Sequence, residues 1–529
     1  MEIQLMYSIG AAHSRGSRNR KGITALCFRP TNISCSAFKF QGPPRPERKN
    51  ISFVSKNYLY TTSTRATSKD TNQEQSIDSV SEKKKGSVVG AIALIVGTSI
   101  GSGILAVPQK TSPAGLIPSA TAMIFCWAFL LIEALLLAEI NVFLLLSKKK
   151  EKNITKQSFQ IISIRTMAQE MLGDWGGTLA TVNYVFLGYT TMVAYTSKSG
   201  DIIHRLSNVP SNISALLFAL LFSILISFGG TRTTDQVNQW LTTAMIVLLV
   251  AIEAVAVSSG EWLGFGAEGN WANIPATFPV IIFTLVYHDL LPVICAYLDG
   301  DLARIRVAFI GGSLVPLLVL LVWNAVALGL LSPSDPVVDP IELLSRVGGG
   351  RVSAMVESFS LLAVGTSYIG TLLGFSQFFL EQLNSLPGFS STTQAKMSEG
   401  KVETIVLKAE RNLLDLKIWW AANKFGVTST ALAVVPPLFI STVVPDVFSA
   451  ATDIAGGYCM TLLYGVLPPA MAWAMHKRWS ADAGRNNGNK EENKRESITM
   501  LKPILIGVGL FACAIITEQC LQDLSVPHP

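Results

Sequence analysis

The chain has 529 residues, of which 49% are hydrophobic and only 15% are charged, and its formal net charge is +6. This composition excludes an intrinsically disordered protein and is typical of a polytopic membrane protein. The positive charge does not indicate a nucleic-acid partner, because residues 1–69 hold twelve basic and two acidic residues, whereas the remainder holds 30 basic and 34 acidic residues.

The amino-terminal segment 1–82 differs in composition from the rest of the chain. It is rich in Arg, Ser and Thr, and it has no apolar core of the kind that a secretory signal requires. We interpret it as an organelle transit peptide and a disordered segment. A plastid is favoured over a mitochondrion, because Ser and Thr are abundant and no amphipathic Arg face is visible. A disordered cytosolic tail is the alternative.

From Gly86 onward, long apolar runs alternate with short polar segments. A helix needs roughly 20 apolar residues to cross a bilayer. The sequence therefore predicts an all-α integral membrane protein with about eleven transmembrane helices. The predicted spans are 87–109, 115–146, 177–199, 212–230, 238–259, 274–297, 307–331, 354–380, 427–443, 448–475 and 502–521.

Basic residues of the polar segments fall mostly on one side of this topology. Lys83–Lys85 precede the first span, Lys148–Lys150 follow the second, and Arg304 and Arg306 follow the sixth. The positive-inside rule then places the amino terminus on this side, which in a plastid inner envelope would be the stroma. A polar loop at 384–426, with a surface helix over 401–420, and a flexible loop at 476–500 are predicted on the same side.

Residues 97–103, which read Gly-Thr-Ser-Ile-Gly-Ser-Gly, interrupt the first span. Glycine weakens a helix, and unwound backbone in a bilayer must face protein or a water-filled cavity. Broken membrane helices of this kind mark substrate sites in transporters. Close packing of two helices through Gly97 and Gly101 is the alternative interpretation.

A second interruption lies in the sixth span, at Tyr287-His288-Asp289, and Pro292 follows it. Ionisable residues inside an apolar run are expensive in lipid, and proline removes a backbone donor. Two breaks five spans apart predict two inverted halves, with spans one to five in 86–260, spans six to ten in 273–475 and an eleventh span at 501–522. In such folds the broken helices meet near the middle of the membrane.

The first-break motif from Gly97 to Pro108 resembles that of the tryptophan/tyrosine (aromatic amino acid) permeases, which belong to the amino acid–polyamine–organocation superfamily. The resemblance covers about 86–520 and continues through segments at 137–141, 287–288, 297–300, 365–370 and 436–438. It implies eleven spans, a five-plus-five inverted-repeat core, and amino acid uptake coupled to protons or another ion.

The resemblance also implies roles for individual residues. Tyr287 and His288 would line the wall opposite the first break, and Tyr189 would cover the pocket. The backbone of the first break would hold the amino and carboxyl groups of the substrate. Its residues are Thr98, Ser99, Ile100, Gly101, Ser102 and Gly103.

The coupling ion stays open between H⁺ and Na⁺. A proton would use His288, with Asp289 beside it, whereas sodium would use the hydroxyls of Thr366 and Ser367. Several proton-coupled members of the superfamily carry a lysine in the fifth span, but residues 233–260 contain no Lys or Arg.

The sequence thus predicts a secondary active transporter of aromatic or neutral amino acids, with proton coupling favoured, in a plastid membrane. The inner envelope is the expected location, and the mitochondrial inner membrane is the alternative. No catalytic motif or metal spacing is present in the sequence, so neither an enzyme nor a cofactor is predicted. A non-transporting amino acid sensor or scaffold is the rival function. The expected partners are the amino acid and the bilayer, with no nucleic acid, and the oligomeric state is left open.

Overall fold

A computed structural model describes residues 86–151, 161–259, 269–329, 349–385, 408–444, 447–483 and 492–525. All regular elements within these ranges are helical. The predicted transit peptide and disordered segment, 1–82, lies outside the described residues.

Fourteen α-helices follow one another along the described residues, with a few short 3₁₀ and π stretches. Their bounds are α1 Val88–Ser99, α2 Gly103–Thr111, α3 Leu116–Glu151, α4 Ile164–Leu172, α5 Asp174–Ser207, α6 Ser211–Ser259, α7 Phe278–Leu285, α8 Leu291–Tyr297, α9 Leu302–Gly329, α10 Gly349–Ser385, α11 Lys408–Val443, α12 Val447–Asp453, α13 Leu467–Ala483 and α14 Glu492–Ser525.

Within the described part of the chain, nine helical segments are long and apolar enough to cross a membrane, and the bent pair α1–α2 raises the number to ten. The protein is therefore a multi-pass membrane protein. The nine segments are 116–148, 211–229, 233–258, 275–297, 302–329, 352–383, 426–443, 447–477 and 502–525. Together with the bent pair, they match every predicted span except the third.

The predicted third span, 177–199, lies in α5, which is long enough to cross but is not among the apolar candidates. Its buried positions include many small and hydroxyl-bearing residues, such as Thr191 and Ser199. It packs against α4, α6, α10, α11 and α12. A helix enclosed by other helices needs no continuous apolar face towards lipid, which explains its weak hydropathy. A total of eleven spans stays a prediction.

Two predicted spans share the single helix α6. A straight helix of its 49 residues would be about 73 Å long, more than twice the apolar thickness of a bilayer. Its two candidate crossings, Ser211–Gly229 and Thr233–Ser258, meet at residues 230–232. The Gly229-Gly230 pair beside this junction is a common cause of helix bending.

Both polar connections differ from the prediction in where helix begins or ends. The predicted surface helix over 401–420 is present from Lys408 onward. The predicted loop 384–426 becomes helical at Lys408 and continues without interruption into the candidate crossing 426–443. The predicted flexible segment 476–500 is helical up to Ala483 and again from Glu492. No glycine or proline occurs between 408 and 425 to end a helix there. Residues 386–407 and 484–491 lie outside the described residues.

The bent pair α1–α2 is enclosed by neighbouring helices. A Cβ on Gly312 of α9 would lie 2.7 Å from Ile95 of α1, so α9 lies close against the first half of the pair. The Trp323 indole N–H of α9 donates to the Ile104 carbonyl of α2 at 3.0 Å. These contacts position both halves of the first broken helix.

Candidate functional site

The first break comprises Ile100, Gly101 and Ser102, and the helices on either side of it diverge by 58°. Ile100 adopts an extended backbone conformation, with φ −86° and ψ 108°. Helix ends leave backbone groups without intrahelical partners. The break therefore presents carbonyls at the end of α1 and N–H groups at the start of α2.

Ser367 of α10 contacts this break directly. The Ser102 N–H donates to Ser367 Oγ at 3.0 Å. A Cβ on Gly101 would lie 2.6 Å from the same oxygen, so this approach requires glycine at position 101. The structure thus brings together three of the residues singled out by the sequence.

Thr98 and Ser99, also predicted in the break, lie in the last turn of α1 instead. The Thr98 hydroxyl donates to the Leu94 carbonyl at 2.9 Å, and the Ser99 hydroxyl donates to the Ile95 carbonyl at 2.9 Å. The predicted unwinding over 97–103 was therefore too long, because threonine and serine hydroxyls bond to carbonyls of the preceding turn without ending the helix.

Gly103, the last of the predicted break residues, begins α2 and touches the other broken helix. A Cβ at this position would lie 2.8 Å from Thr284 Oγ1 and 3.0 Å from Thr284 Cα of α7. A side chain here would meet backbone, so glycine permits the contact. The two broken helices are therefore in direct contact.

The second break lies between α7 and α8. Val286 is extended, with φ −67° and ψ 130°, and a single 3₁₀ turn then covers His288–Leu290. Pro292 was predicted to help cause the break, but it lies in the first turn of α8. Proline is well accommodated at that position. The break thus precedes Pro292 and comprises Val286 to Leu290.

His288 is fully buried at this break. Its Nε2 lies 3.1 Å from the Leu130 carbonyl of α3, and because a carbonyl only accepts, Nε2 carries the proton. Its ring stacks on Tyr464, with 5.0 Å between the ring centroids, and Tyr287 lies on another side at 5.1 Å. Tyr287 is 4% exposed, so both predicted residues lie in the protein interior.

Asp289 is exposed, although His288 beside it is buried. Its carboxylate accepts a hydrogen bond from the Tyr464 hydroxyl. Tyr184 and Tyr195 of α5 are also close enough to interact electrostatically with the carboxylate. The second break thus presents an exposed carboxylate that has tyrosines from two other elements around it.

The tyrosine of α5 that approaches the first break is Tyr195 rather than Tyr189. The Tyr195 hydroxyl lies close to the hydroxyls of Ser102 and Ser367. Tyr189 instead donates to the Leu432 carbonyl of α11 at 3.1 Å and packs edge-on against Phe375. Six residues correspond to about 240° around a helix, so the two tyrosines lie on different faces of α5.

Thr366 is directed away from its neighbour Ser367. Its hydroxyl donates to the Ala363 carbonyl of its own helix at 3.1 Å and lies 3.8 Å from Met245 Sδ of α6. The structure therefore places Ser367, but not the Thr366 hydroxyl, against the first break.

A π-helical stretch contributes a residue that sequence reasoning missed. Residues Ile454–Met460 and Leu462–Val466 form π turns, and Tyr464 belongs to the second. A Cβ on Gly456 would lie 1.9 Å from the Pro279 carbonyl of α7, so this stretch lies directly against the second broken helix. Paired glycines in an apolar run were the available sequence signal, since π turns often occur at functional sites.

The assembled site combines backbone groups with aromatic side chains. Helix ends at the first break can bind both the ammonium and the carboxylate of an amino acid. Tyr195 adds a hydrogen-bonding group beside the first break, and Tyr464 and Asp289 add two at the second. Within the described residues, no group of three or more His, Cys, Asp or Glu side chains is arranged to hold a metal ion.

The chain is similar in sequence to bacterial transport proteins. The chain is 25% identical over 299 residues to tyrosine-specific transport system 1 of Haemophilus influenzae, with 54% of this chain and 71% of that protein covered. It is 23% identical over 431 residues to the tryptophan-specific transport protein of the same organism, with coverages of 73% and 95%.

The fold is also similar to that of MhsT, solved in complex with L-phenylalanine. The TM-score is 0.51 at 15% sequence identity, with 82% of this chain and 100% of that chain covered. The sequence model of the tryptophan/tyrosine permease family matches residues 84–491. The chain therefore belongs to the tryptophan/tyrosine permease family.

Proposed function

We propose that this protein is a secondary active transporter of aromatic amino acids that works by alternating access. The observation that carries the proposal is the direct contact of two broken helices, through Gly103 and Thr284, within a multi-pass membrane protein. Helices broken in this way supply backbone groups for binding a small charged molecule inside a membrane.

The groups around the breaks fit an amino acid that has an aromatic side chain. The backbone of Ile100, Gly101 and Ser102 would bind its amino and carboxyl groups. Tyr195, which lies beside the first break, would contact the side chain, since aromatic rings favour aromatic ligands. The named activities of the bacterial relatives, tyrosine- and tryptophan-specific transport, support this substrate class.

The proposed mechanism uses two inverted halves, with spans one to five and six to ten, that rock around the site. The position of one break in each half supports this arrangement. Proton coupling is proposed, with His288 and Asp289 at the second break as its nearest ionisable groups. Sodium at Thr366 and Ser367 is the alternative, and the divergent directions of their two hydroxyls make it the less favoured one.

A plastid membrane, and specifically the inner envelope, is the proposed location. The support is the Arg- and Ser-rich composition of residues 1–82. A fluorescent fusion to the full chain tests this part independently of transport. Import into plastids with removal of the amino-terminal segment is expected, and a mitochondrial or plasma-membrane signal would contradict it.

The test of function is uptake of labelled tryptophan, tyrosine and phenylalanine into liposomes that contain the purified full chain, first with an imposed pH gradient and then with a sodium gradient. Accumulation driven by the pH gradient is the expected result. Accumulation driven only by the sodium gradient would show that sodium, and not the proton, is the coupling ion. Binding of substrate with no flux in any assay would favour the rival sensor function. This means no accumulation under either gradient and no exchange against internal substrate.

A further inference from the structure

Glu133 lies in the middle of the membrane-spanning part of α3 and is 0% exposed. Neither of its carboxylate oxygens has a hydrogen-bond partner among the described residues. No basic side chain in the described part of the chain lies within ion-pair distance of it. Burying an unpaired charge is strongly unfavourable, so this arrangement is compatible only with a neutral, protonated Glu133.

Glu133 borders the position where His288 meets α3. The His288 ring contacts the carbonyl of Leu130. Side chains three and four residues after a helical carbonyl flank it, and here these are Glu133 and Ala134. Ala134 contributes only a methyl group, which leaves room for the imidazole. His288 Nδ1 also has no partner among the described residues, so two unpaired titratable groups flank the same carbonyl.

The other titratable side chains near this region do not neutralise Glu133. The elements packed against α3 carry ionisable side chains at Cys295, Tyr297, Arg304, Arg306, Tyr464, His476 and Lys477, and Tyr287 lies in the adjoining second break. Arg304 donates to the Gly86 carbonyl. Arg306 is held at 2.6 Å by Glu139, which lies about 9 Å farther along the helix axis.

α4 adds Arg165 and Glu170 near the end of α3, where Glu170 pairs with Lys148 at 3.4 Å. That pair lies about 22 Å from Glu133 along the axis. Among these described side chains, Glu133 is therefore the carboxyl group that has neither an ionic nor a hydrogen-bond partner.

We propose that Glu133 is the proton-carrying group of this transporter and that the second break, which holds His288 against α3, controls the access of water to it. A proton from water binds the Glu133 carboxylate when the second break exposes it on one side of the membrane. The protonated group is buried in the arrangement described here. When the break moves and water enters from the other side, the same O–H bond breaks and the proton leaves to water.

This proposal rests on the proposed transport function and connects the proton to the substrate through one element. The break that holds His288 against α3 also carries Asp289, which is exposed and accepts a hydrogen bond from Tyr464. A substrate that rearranges this 3₁₀ turn would move His288 as well. Access of water to Glu133 would then depend on whether substrate is bound, as coupling requires.

The experiment compares wild-type full-length chain with Glu133→Gln in liposomes. Gln is a neutral mimic of the protonated acid. We expect tryptophan exchange at equal pH to stay within about twofold of wild type, and pH-driven accumulation to fall by at least about tenfold, within the usual range for coupled sites. Glu170→Gln, which changes an exposed carboxyl on α4, is the control and should retain both activities.

Accumulation by Glu133→Gln at the wild-type level would overturn the proposal. If this variant does not fold, Glu133→Asp and infrared difference spectra decide the question. The wild-type chain should show a protonated-carboxyl band that changes on substrate binding, and Glu133→Asp should shift that band. An unshifted band would also overturn the proposal. Absence of exchange in wild type would instead refute the transport function.

Discussion

The backbone N–H of Ser102 donates to the side-chain oxygen of Ser367 at 3.0 Å, across 265 residues of sequence. This bond ties the first break to α10. The oxygen also occupies the space next to the Gly101 Cα, where a side chain would otherwise stand. Ser367 therefore accepts a hydrogen bond from the Ser102 N–H, which has no partner within a helix, and leaves room only for glycine at position 101.

Gly101→Ala should reduce uptake strongly while leaving insertion intact. The added Cβ would lie 2.6 Å from Ser367 Oγ, and overpacking of this kind costs about 1–3 kcal/mol. Because the cost falls on the binding backbone, tryptophan uptake in liposomes should fall by roughly tenfold. Ser367→Ala removes the clashing oxygen, so the double variant should recover part of the loss.

Gly370→Ala is the control for this pair. Gly370 lies on the same helix as Ser367, and a Cβ there meets nothing within 4 Å. Its uptake should match wild type. Normal uptake in Gly101→Ala would show that the first break does not bind substrate.

The breaks were predictable because their causes are local. Three glycines with serine and threonine in an apolar run predict unwinding at 97–103, and a His-Asp pair inside another run predicts the second break. Only the extent was wrong for the first break. The hydroxyls of Thr98 and Ser99 bond to carbonyls of the preceding turn of α1, although the same residue types also occur where a helix ends. Residue type alone therefore does not locate the end of α1.

The partners of the breaks were not predictable, because they come from distant segments without local signals. Tyr464 reaches Asp289 across 175 residues from a π turn, and the glycine pair that precedes this turn does not indicate which side chain contacts the second break. Tyr195 and Tyr189 have the same local character, and only the packing of α5 determines which of them approaches the break. Helix boundaries at 408 and 483 depended in the same way on tertiary context.

Tyr464→Phe should weaken substrate binding without unfolding the protein. The ring that stacks on His288 stays, whereas the hydroxyl that donates to Asp289 is lost. Hydrogen bonds to charged groups contribute about 1.5–3 kcal/mol. If the Tyr464–Asp289 hydrogen bond holds the second break in the conformation that binds substrate, its loss should raise the Kd for tryptophan by about tenfold. The measurement is equilibrium binding in detergent.

Tyr458→Phe is the matched control for Tyr464→Phe. Tyr458 belongs to the same π-helical region, and its hydroxyl donates to Asp523 of α14 at 2.6 Å. Loss of this second tyrosine–aspartate bond should change the Kd by less than about twofold, because it lies away from the breaks. Equal effects of the two variants would mean that the Asp289 contact has no particular role in binding.

The ion pair Lys110–Asp453 should hold the carboxyl-terminal end of α2 against α12. The two charged groups lie 2.5 Å apart, and their side chains are 29% and 18% exposed. Solvent screening limits such a pair to about 1 kcal/mol. Lys110→Asp should therefore speed substrate dissociation by a few fold, and the swap Lys110→Asp with Asp453→Lys should restore the wild-type rate in a filter-binding chase.

Lys148–Glu170 provides the comparison for that swap. Its separation is 3.4 Å, and its side chains are 39% and 46% exposed, on α3 and α4. Lys148→Glu should leave the dissociation rate unchanged, since it lies far from the breaks. A swap at 110 and 453 that fails to restore the rate would assign the effect to packing rather than charge.

Gly456→Ala should destabilise the protein more than the same change at the next residue. A Cβ at 456 would lie 1.9 Å from the Pro279 carbonyl, which is backbone and cannot rotate away, whereas a Cβ at 457 would meet the flexible Gln519 side chain at 3.0 Å. The cost at 456 should reach about 3 kcal/mol, the upper part of the range for overpacking, against less than about 1 kcal/mol at 457. The measurement is the fraction of monodisperse protein that survives heating in detergent.

Because the π turns align Tyr464 with Asp289, any Gly456→Ala protein that folds should also bind tryptophan weakly. Equal heat stability of the two variants would mean that the π-helical stretch is not fixed against α7.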